Sequence, residues 1–169
     1  MGIRAWRSHD LVNWEYQGYV THESVTWNAY APEVIYWDGL FYMATSPNGQ
    51  GHYILTSESP TGPFTVQTDN LGLSIDGSFF IDDDGQWYFT RSGHRGIRGH
   101  RMADPFTMGP EIILESDLGG WTEGSYILKR DGVYFLTYTG NHVTSRGYRV
   151  HYSVSQDGPL GPYQVPEDN

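Results

Sequence analysis

Apolar and polar positions along this chain fall into short runs, and three of the runs come in pairs around the same dipeptide. The stretches EVIYWDGLFYMATS, SFFIDDDGQWYFTRS and SYILKRDGVYFLTYT each set Asp-Gly between two apolar segments. An Asp-Gly pair in that setting predicts a hairpin, because a tight turn needs residues that tolerate positive φ. Within VYFLTY, Val133, Phe135 and Thr137 alternate with Tyr134, Leu136 and Tyr138, so bulk lies on both faces. A middle strand packed between neighbouring sheets has this character, whereas a two-sheet sandwich leaves one polar face per strand. No amphipathic helical pattern of useful length interrupts the strands.

The pairs repeat. Asp38-Gly39, Asp84-Gly85 and Asp131-Gly132 lie 46 and 47 residues apart. A second landmark keeps nearly the same period, since Pro63, Pro110 and Pro162 of three Gly-Pro pairs are spaced by 47 and 52. Trp14, in RSHDLVNWEYQG, stands 50 residues before Phe64 and marks the tail of a further unit. Each unit reads as four strands: one before Asp-Gly, one after it, a third such as YRVHYSVS, and a short outer one after Gly-Pro. Four-stranded units at this period predict an all-β fold of propeller blades. The blades are expected over residues 27–72, 73–119 and 120–169, with residues 3–20 forming the edge of another, in one partial domain spanning 1–169. Propellers close with four or more blades, so the set is read as incomplete.

Composition narrows the class further. The chain's 21 Gly and 9 Pro supply the turns, and 6 Trp, 13 Tyr and 7 Phe supply the bulk for a β core. A formal charge of −10 excludes a nucleic-acid partner, which would want a basic surface. With no cysteine there is neither a disulfide framework nor a thiolate metal site. No charged-then-apolar leader and no run of 18 apolar residues occurs, so no membrane partner is expected.

The repeat also aligns acids. Sliding the units together on Asp-Gly, without gaps, puts Tyr30, Asp76 and Glu123 in one column, each eight residues before the turn aspartate. On inner strands of adjacent blades, Asp76 and Glu123 would converge on a common hollow. Two acids held close repel as anions, so one is expected to keep its proton and to serve as a general acid. Trp27 and Trp121 lie near the column and suit the floor of a sugar site.

On these segments, DLVNWEYQG, APEVIYWDGLFYM, SIDGSFFIDDDGQWYF, WTEGSYILKRDGVYFLTYTGN and the Gly-Pro blade ends, the chain resembles glycoside hydrolase family 43 over essentially its whole length. The resemblance implies a five-bladed β-propeller of inverting glycosidases acting on arabinose- and xylose-containing plant polysaccharides, in the arabinofuranosidase or xylosidase class. It implies that Glu123 is the general acid and that Asp76 orients that acid and modulates its pKa. The family's general base lies on a first-blade strand and its channel histidine in a fifth blade. Neither is found here, so the chain is expected to lack the base. A central-channel calcium, a carbohydrate partner, self-association through exposed blade faces, and an extracellular or periplasmic rather than cytoplasmic location are further implications. A non-catalytic carbohydrate-binding arc and an inactive fragment are the alternatives.

Other residues carry less chemistry. The Asp82-Asp83-Asp84 run lacks the twelve-residue ligand spacing of a calcium loop and reads as a hairpin turn. Glu33 falls three residues past the acid column. His94, His100, His142 and His151 show no paired metal spacing. Of these, His142 is placed at the cleft with Trp27, Tyr30 and Trp121 as substrate-binding, and His151 is read as structural. GHRGIRGHR lacks a phosphate loop's Lys-Ser/Thr, and its arginines are expected in a solvated loop. Trp37 and Trp87 are expected to pack between blades.

Overall fold

The structure, a computed structural model, describes residues 2–114, 118, 120–140 and 143–167. The chain divides into two compact units, Met1–Leu73 and Ser74–Asn169. Among the described residues no helix is long and apolar enough to cross a membrane.

The first unit opens with an antiparallel pair, β1 (Arg4–Arg7) and β2 (Glu15–Tyr19), followed by a 3₁₀ turn at Ser24–Thr26. A four-stranded antiparallel sheet follows, β3 (Ala29–Trp37), β4 (Leu40–Pro47), β5 (Tyr53–Ser57) and β6 (Thr65–Val66), in chain order. Val20, Met43, Leu55 and Phe64 form its buried cluster, with Ile3, Ala5 and Phe41 packed against it. One backbone bond extends the pair and a second ties it to the segment leading into β6. Val20 N–H donates to Ile3 O at 3.1 Å, and Phe64 N–H donates to Val20 O at 2.7 Å.

The second unit holds two four-stranded sheets. One is built from β7 (Ser78–Ile81), β8 (Trp87–Arg91), β10 (Ile97–Asp104) and β11 (Thr107–Leu114). The other contains β12 (Trp121–Arg130), β13 (Val133–Gly140) and β14 (Val150–Ser155), and its fourth strand is unexpected. It is β9 (Gly93–His94), a short segment from the preceding blade that pairs with Trp121 and Thr122 on the inner edge of β12. The predicted outer strand after Gly161-Pro162 shrinks to one bridge, Gln164 to Val154, with two bonds of 2.8 Å. Pro162 and Pro166, on either side of the bridge, lack the N–H donors a longer strand would need. Ile97, Leu114, Ile127, Leu136, Tyr138 and Tyr163 are buried together between the two sheets. Each such apolar side chain contributes about 1.5–3 kcal/mol of transfer free energy.

The Asp-Gly turns are of two kinds. Asp38 and Gly39 have φ of 47° and 86°, and Asp131 and Gly132 have 52° and 78°, so both are two-residue hairpins with positive φ at each position. At the middle repeat only Gly85 is left-handed, at 81°. Asp82 N–H donates to Gln86 O at 3.0 Å, which leaves Asp83, Asp84 and Gly85 as a three-residue loop. The aspartates there are all engaged, two of them by one lysine. Asp84 accepts Gln86 N–H at 2.9 Å. Asp83 pairs with Lys129 of the next blade at 2.8 Å, and Asp82 pairs with the same ammonium. Tyr134 O–H also donates to Asp82, at 2.6 Å. The run is an inter-blade lock.

Two further expectations need correction. Of the arginines in GHRGIRGHR, Arg95 is exposed in a turn as expected and Arg101 is exposed on β10, but Arg98 sits on β10 with its side chain only 17% exposed and pairs with Glu111, which also pairs with Arg91 of β8. Trp87 is buried edge-on against Phe79, but Trp37 is exposed. His151 is buried and stacked on Tyr138, with ring centroids 6.0 Å apart.

Candidate active site

Glu123 lies near the start of β12, where the strand bulges. The register with β13 shifts between Glu123 and Tyr126, and Gly124 has φ of 59°. The bulge frees the Gly124 N–H from the ladder and aims it at the neighbouring blade, where Asp76 Oδ2 accepts it at 3.2 Å. Asp76 is not on a strand. It stands two residues ahead of β7 with φ of 60°, a left-handed conformation that aspartate tolerates better than most residues. Ser92 Oγ, at the end of β8, donates to the same Oδ2 at 2.8 Å. The two acids are thus brought together as the sequence column required, but through the peptide unit after Glu123.

The Glu123 carboxylate is held at both oxygens. Trp121 Nε1–H donates to Oε2 at 2.6 Å, and Tyr148 O–H donates to Oε1 at 2.7 Å. Thr139, the cross-strand partner of Glu123, has Tyr148 Oη at 3.3 Å and Glu123 O at 3.2 Å from its Oγ1, and its single proton serves one of the two at a time. The Thr139 bond draws the Tyr148 phenol toward ionisation. The bond to Glu123, burial, and the charges of Glu123 and Asp76 outweigh it, so Tyr148 keeps its proton above the ordinary tyrosine range. Glu123 itself is half-buried, so a solute can reach it.

Trp121 therefore touches the acid directly. Trp27 and Tyr30 belong to the first unit, where both are exposed: Trp27 follows the 3₁₀ turn and Tyr30 lies on β3 beside a matching bulge. His142 lies outside the described residues. Among the described residues no group of three or more His, Cys, Asp or Glu could hold a metal ion.

Tyr148, Ser92, Thr139 and Arg91 were not singled out from the sequence. Arg91 Nη1 donates to Ser74 Oγ at 2.7 Å and to Ser92 O at 3.2 Å, supporting the segment that carries Asp76. For Ser92 and Thr139 a signal existed. Each lies eight residues after its turn aspartate, as Asp76 and Glu123 lie eight before, and Ser46 completes that second column opposite Tyr30. Tyr148 has no such regularity.

The family model described as Glycosyl hydrolases family 43 matches residues 1–169. The chain belongs to this family. Its fold is the family 43 β-propeller, present among the described residues as three four-stranded sheets and the two-stranded edge of another. Among solved structures it is similar to an endo-1,4-beta-xylanase from Bacteroides thetaiotaomicron, with 32% identity and a TM-score of 0.82, over 100% of this chain and 65% of that one. An endo-arabinase from the same organism gives 26% identity and a TM-score of 0.81, over 98% of this chain and 71% of that one. The curated "Xylosidase/arabinosidase" of Butyrivibrio fibrisolvens is 28% identical over 111 residues, 57% of this chain. The matched stretches of three curated relatives are 20 to 23% of those proteins' own length.

Proposed function

We propose that this chain is part of an inverting glycoside hydrolase acting on xylose- or arabinose-containing plant polysaccharides or their oligosaccharides. The relatives named xylosidase, arabinosidase, xylanase and arabinase support the sugar class. The observation that carries the chemistry is the Glu123 carboxylate, reachable from solvent and oriented by an acid from the next blade through Gly124. Glu123 protonates the departing glycosidic oxygen. Asp76 positions it, and Trp121 flanks both the acid and the sugar. Trp27, Tyr30 and His142 contribute to substrate binding.

Inversion also requires a carboxylate base that activates water on the opposite face of the sugar, roughly 6.5–9.5 Å from the acid. Asp76 is committed to Ser92 and Gly124, so the base comes from another segment or chain. A channel calcium, if the assembled protein takes one, is likewise held by that part. Polysaccharide substrates place the assembled enzyme outside the cytoplasm. Exposed aromatics such as Trp6, Tyr36 and Trp37 promote self-association of the isolated chain, which sedimentation at micromolar concentration reads as dimers or larger species.

The test is hydrolysis by this chain mixed with a polypeptide supplying the remaining blades. Glu123→Gln is expected to lower kcat by about 10²–10⁴ on xylo- or arabino-oligosaccharides. The loss should be smaller on nitrophenyl glycosides, whose leaving group needs little protonation. Unchanged turnover on oligosaccharides would remove the acid assignment.

A further inference from the structure

The partners of the Glu123 carboxylate are not equivalent, and their chemistry distinguishes its two oxygens. An indole N–H can only donate, whereas a phenol or an aliphatic hydroxyl can donate or accept. Trp121 donates to Oε2, so a proton placed on Oε2 would compete with the indole N–H for one oxygen. Oε1 meets Tyr148, whose hydroxyl can reverse its role.

The hydroxyls around Oε1 also close a ring: Glu123 Oε1, Tyr148 Oη, Thr139 Oγ1 and the Glu123 carbonyl oxygen follow one another at 2.7, 3.3 and 3.2 Å. With Glu123 ionised, Tyr148 donates to Oε1. With Glu123 protonated, Oε1–H can donate to Tyr148 Oη. The phenol O–H then turns to Thr139 Oγ1, and Thr139 continues to donate to the Glu123 carbonyl. No O–H bond of the two hydroxyls breaks in this exchange; the Tyr148 hydroxyl only rotates.

We propose that Trp121 and the Tyr148–Thr139 pair assign the catalytic proton to Oε1 of Glu123, with Tyr148 acting as a reversible positioning residue. The inference rests on the reading of Glu123 as the acid and adds which oxygen delivers. In the protonation step the Oε1–H bond breaks and the proton bonds to the glycosidic oxygen. The C–O bond of the sugar breaks with its electron pair passing to that oxygen. Water bonds to the anomeric carbon and yields its proton to the base. Glu123 is left anionic, and Tyr148 rotates back to donate to it. The charge created by the reaction therefore meets a donor already in place, and charge-assisted bonds of this kind are the stronger ones. The other charged group facing Tyr148 is Asp76, which Ser92 and Gly124 hold fixed.

Nuclear magnetic resonance on this chain tests the ring without any turnover. The probes are ¹³C at tyrosine Cζ and ¹⁵N at the tryptophan indole, assigned by Tyr148→Phe and Trp121→Phe. On acidification the Tyr148 Cζ signal should shift in step with Glu123 protonation, and that shift should vanish in Glu123→Gln. The Trp121 indole proton should stay at its hydrogen-bonded position throughout. An indole proton that moves to the free position would place the acid proton on Oε2, and an unmoved Tyr148 signal would remove the ring; either overturns the proposal.

A functional arm uses the blade-completed protein. Tyr148→Phe should lower kcat severalfold with KM little changed and move the alkaline limb of the pH profile upward, because the ionised acid has lost a donor. A drop in kcat without movement of the limb would mark a merely structural role and count against the proposal. If Glu123→Gln leaves oligosaccharide turnover intact while the resonances behave as described, the acid reading fails and the ring stands. Lost turnover with unresponsive resonances means the reverse.

Discussion

Asp76 Oδ2 accepts the backbone N–H of Gly124 at 3.2 Å, so an acid on one blade fixes the peptide unit that follows Glu123 on the next. Asp76 does this from a left-handed conformation and with a second donor, Ser92, on the same oxygen. Asp76→Ala should cost about 2–3 kcal/mol, combining a buried serine hydroxyl left without its acceptor and the left-handed backbone that alanine resists. Asp76→Gly removes the same bonds but accepts φ of 60°, so it should recover about 1 kcal/mol of that loss. Urea denaturation of the isolated chain reads both. Equal losses would show that the backbone conformation carries no strain.

The lock between blades gives a pH dependence with a defined sign. Burial alone would raise the Asp82 carboxyl, but bonds from Lys129, Tyr134 and the Asp83 N–H outweigh it and hold Asp82 below the usual carboxylate range. A depressed native value means that this stability is present above the unfolded-state value of about 3.9 and is lost as pH falls through the native one. Lys129 is shifted upward, first by its bond to Asp82, so its contribution persists until strongly alkaline pH. Lys129→Met should therefore lower the melting temperature at pH 7 and move acid unfolding to higher pH. Near pH 2 the variant and the parent should converge.

How much of this was legible follows from what a repeat can encode. The blades, their hairpins and the acid column were readable because Asp-Gly recurs at one period and the partners of Tyr30 and Glu123 lie symmetrically across each turn. The bulge at Gly124 was not readable, since a glycine in a strand marks several geometries. Nor was β9, two residues long and set among glycines, or the burial of Arg91 and Arg98, whose shared glutamate is 20 residues from the first and 13 from the second. Tyr148 reaches Glu123 from 25 residues away out of an irregular loop, and no periodicity reports such a contact.

Gly62 offers a test of packing in the first unit. Its φ is 83°, and a Cβ there would lie 2.1 Å from the Val20 carbonyl oxygen, the acceptor of the Phe64 N–H that ties the β1–β2 pair to the segment leading into β6. Gly62→Ala should cost about 2–4 kcal/mol, from backbone strain together with the clash. Gly39→Ala is the matched control, because φ is 86° but no atom lies within 4 Å of the added Cβ. It should cost about 1 kcal/mol. Similar losses at both sites, measured by chemical denaturation, would mean that the Val20 contact relaxes freely.

Glu111 reaches the site through Arg91. Its carboxylate pairs with Arg91 Nη2 and, at 3.3 Å, with Arg98 Nε. Burial weakens the hold of Arg91 on its charge, and Glu111 is the main opposing influence. Arg91 in turn donates to Ser74 Oγ and Ser92 O, and Ser92 N–H donates to Ile75 O at 3.0 Å, next to Asp76. Glu111→Gln leaves two largely covered guanidinium groups without an anion. Because Glu111 is 42% exposed, solvent screens much of the loss, and about 1–2 kcal/mol is expected. The sharper consequence is kinetic. Ser92→Ala removes the Asp76 contact and leaves the arginine pair intact, so in the blade-completed enzyme both variants should lower kcat by the same route. If Glu111 acts through Ser92, the double variant should be no slower than the slower single one. Multiplying losses would mean that the arginine cluster supports the blade and not the acid.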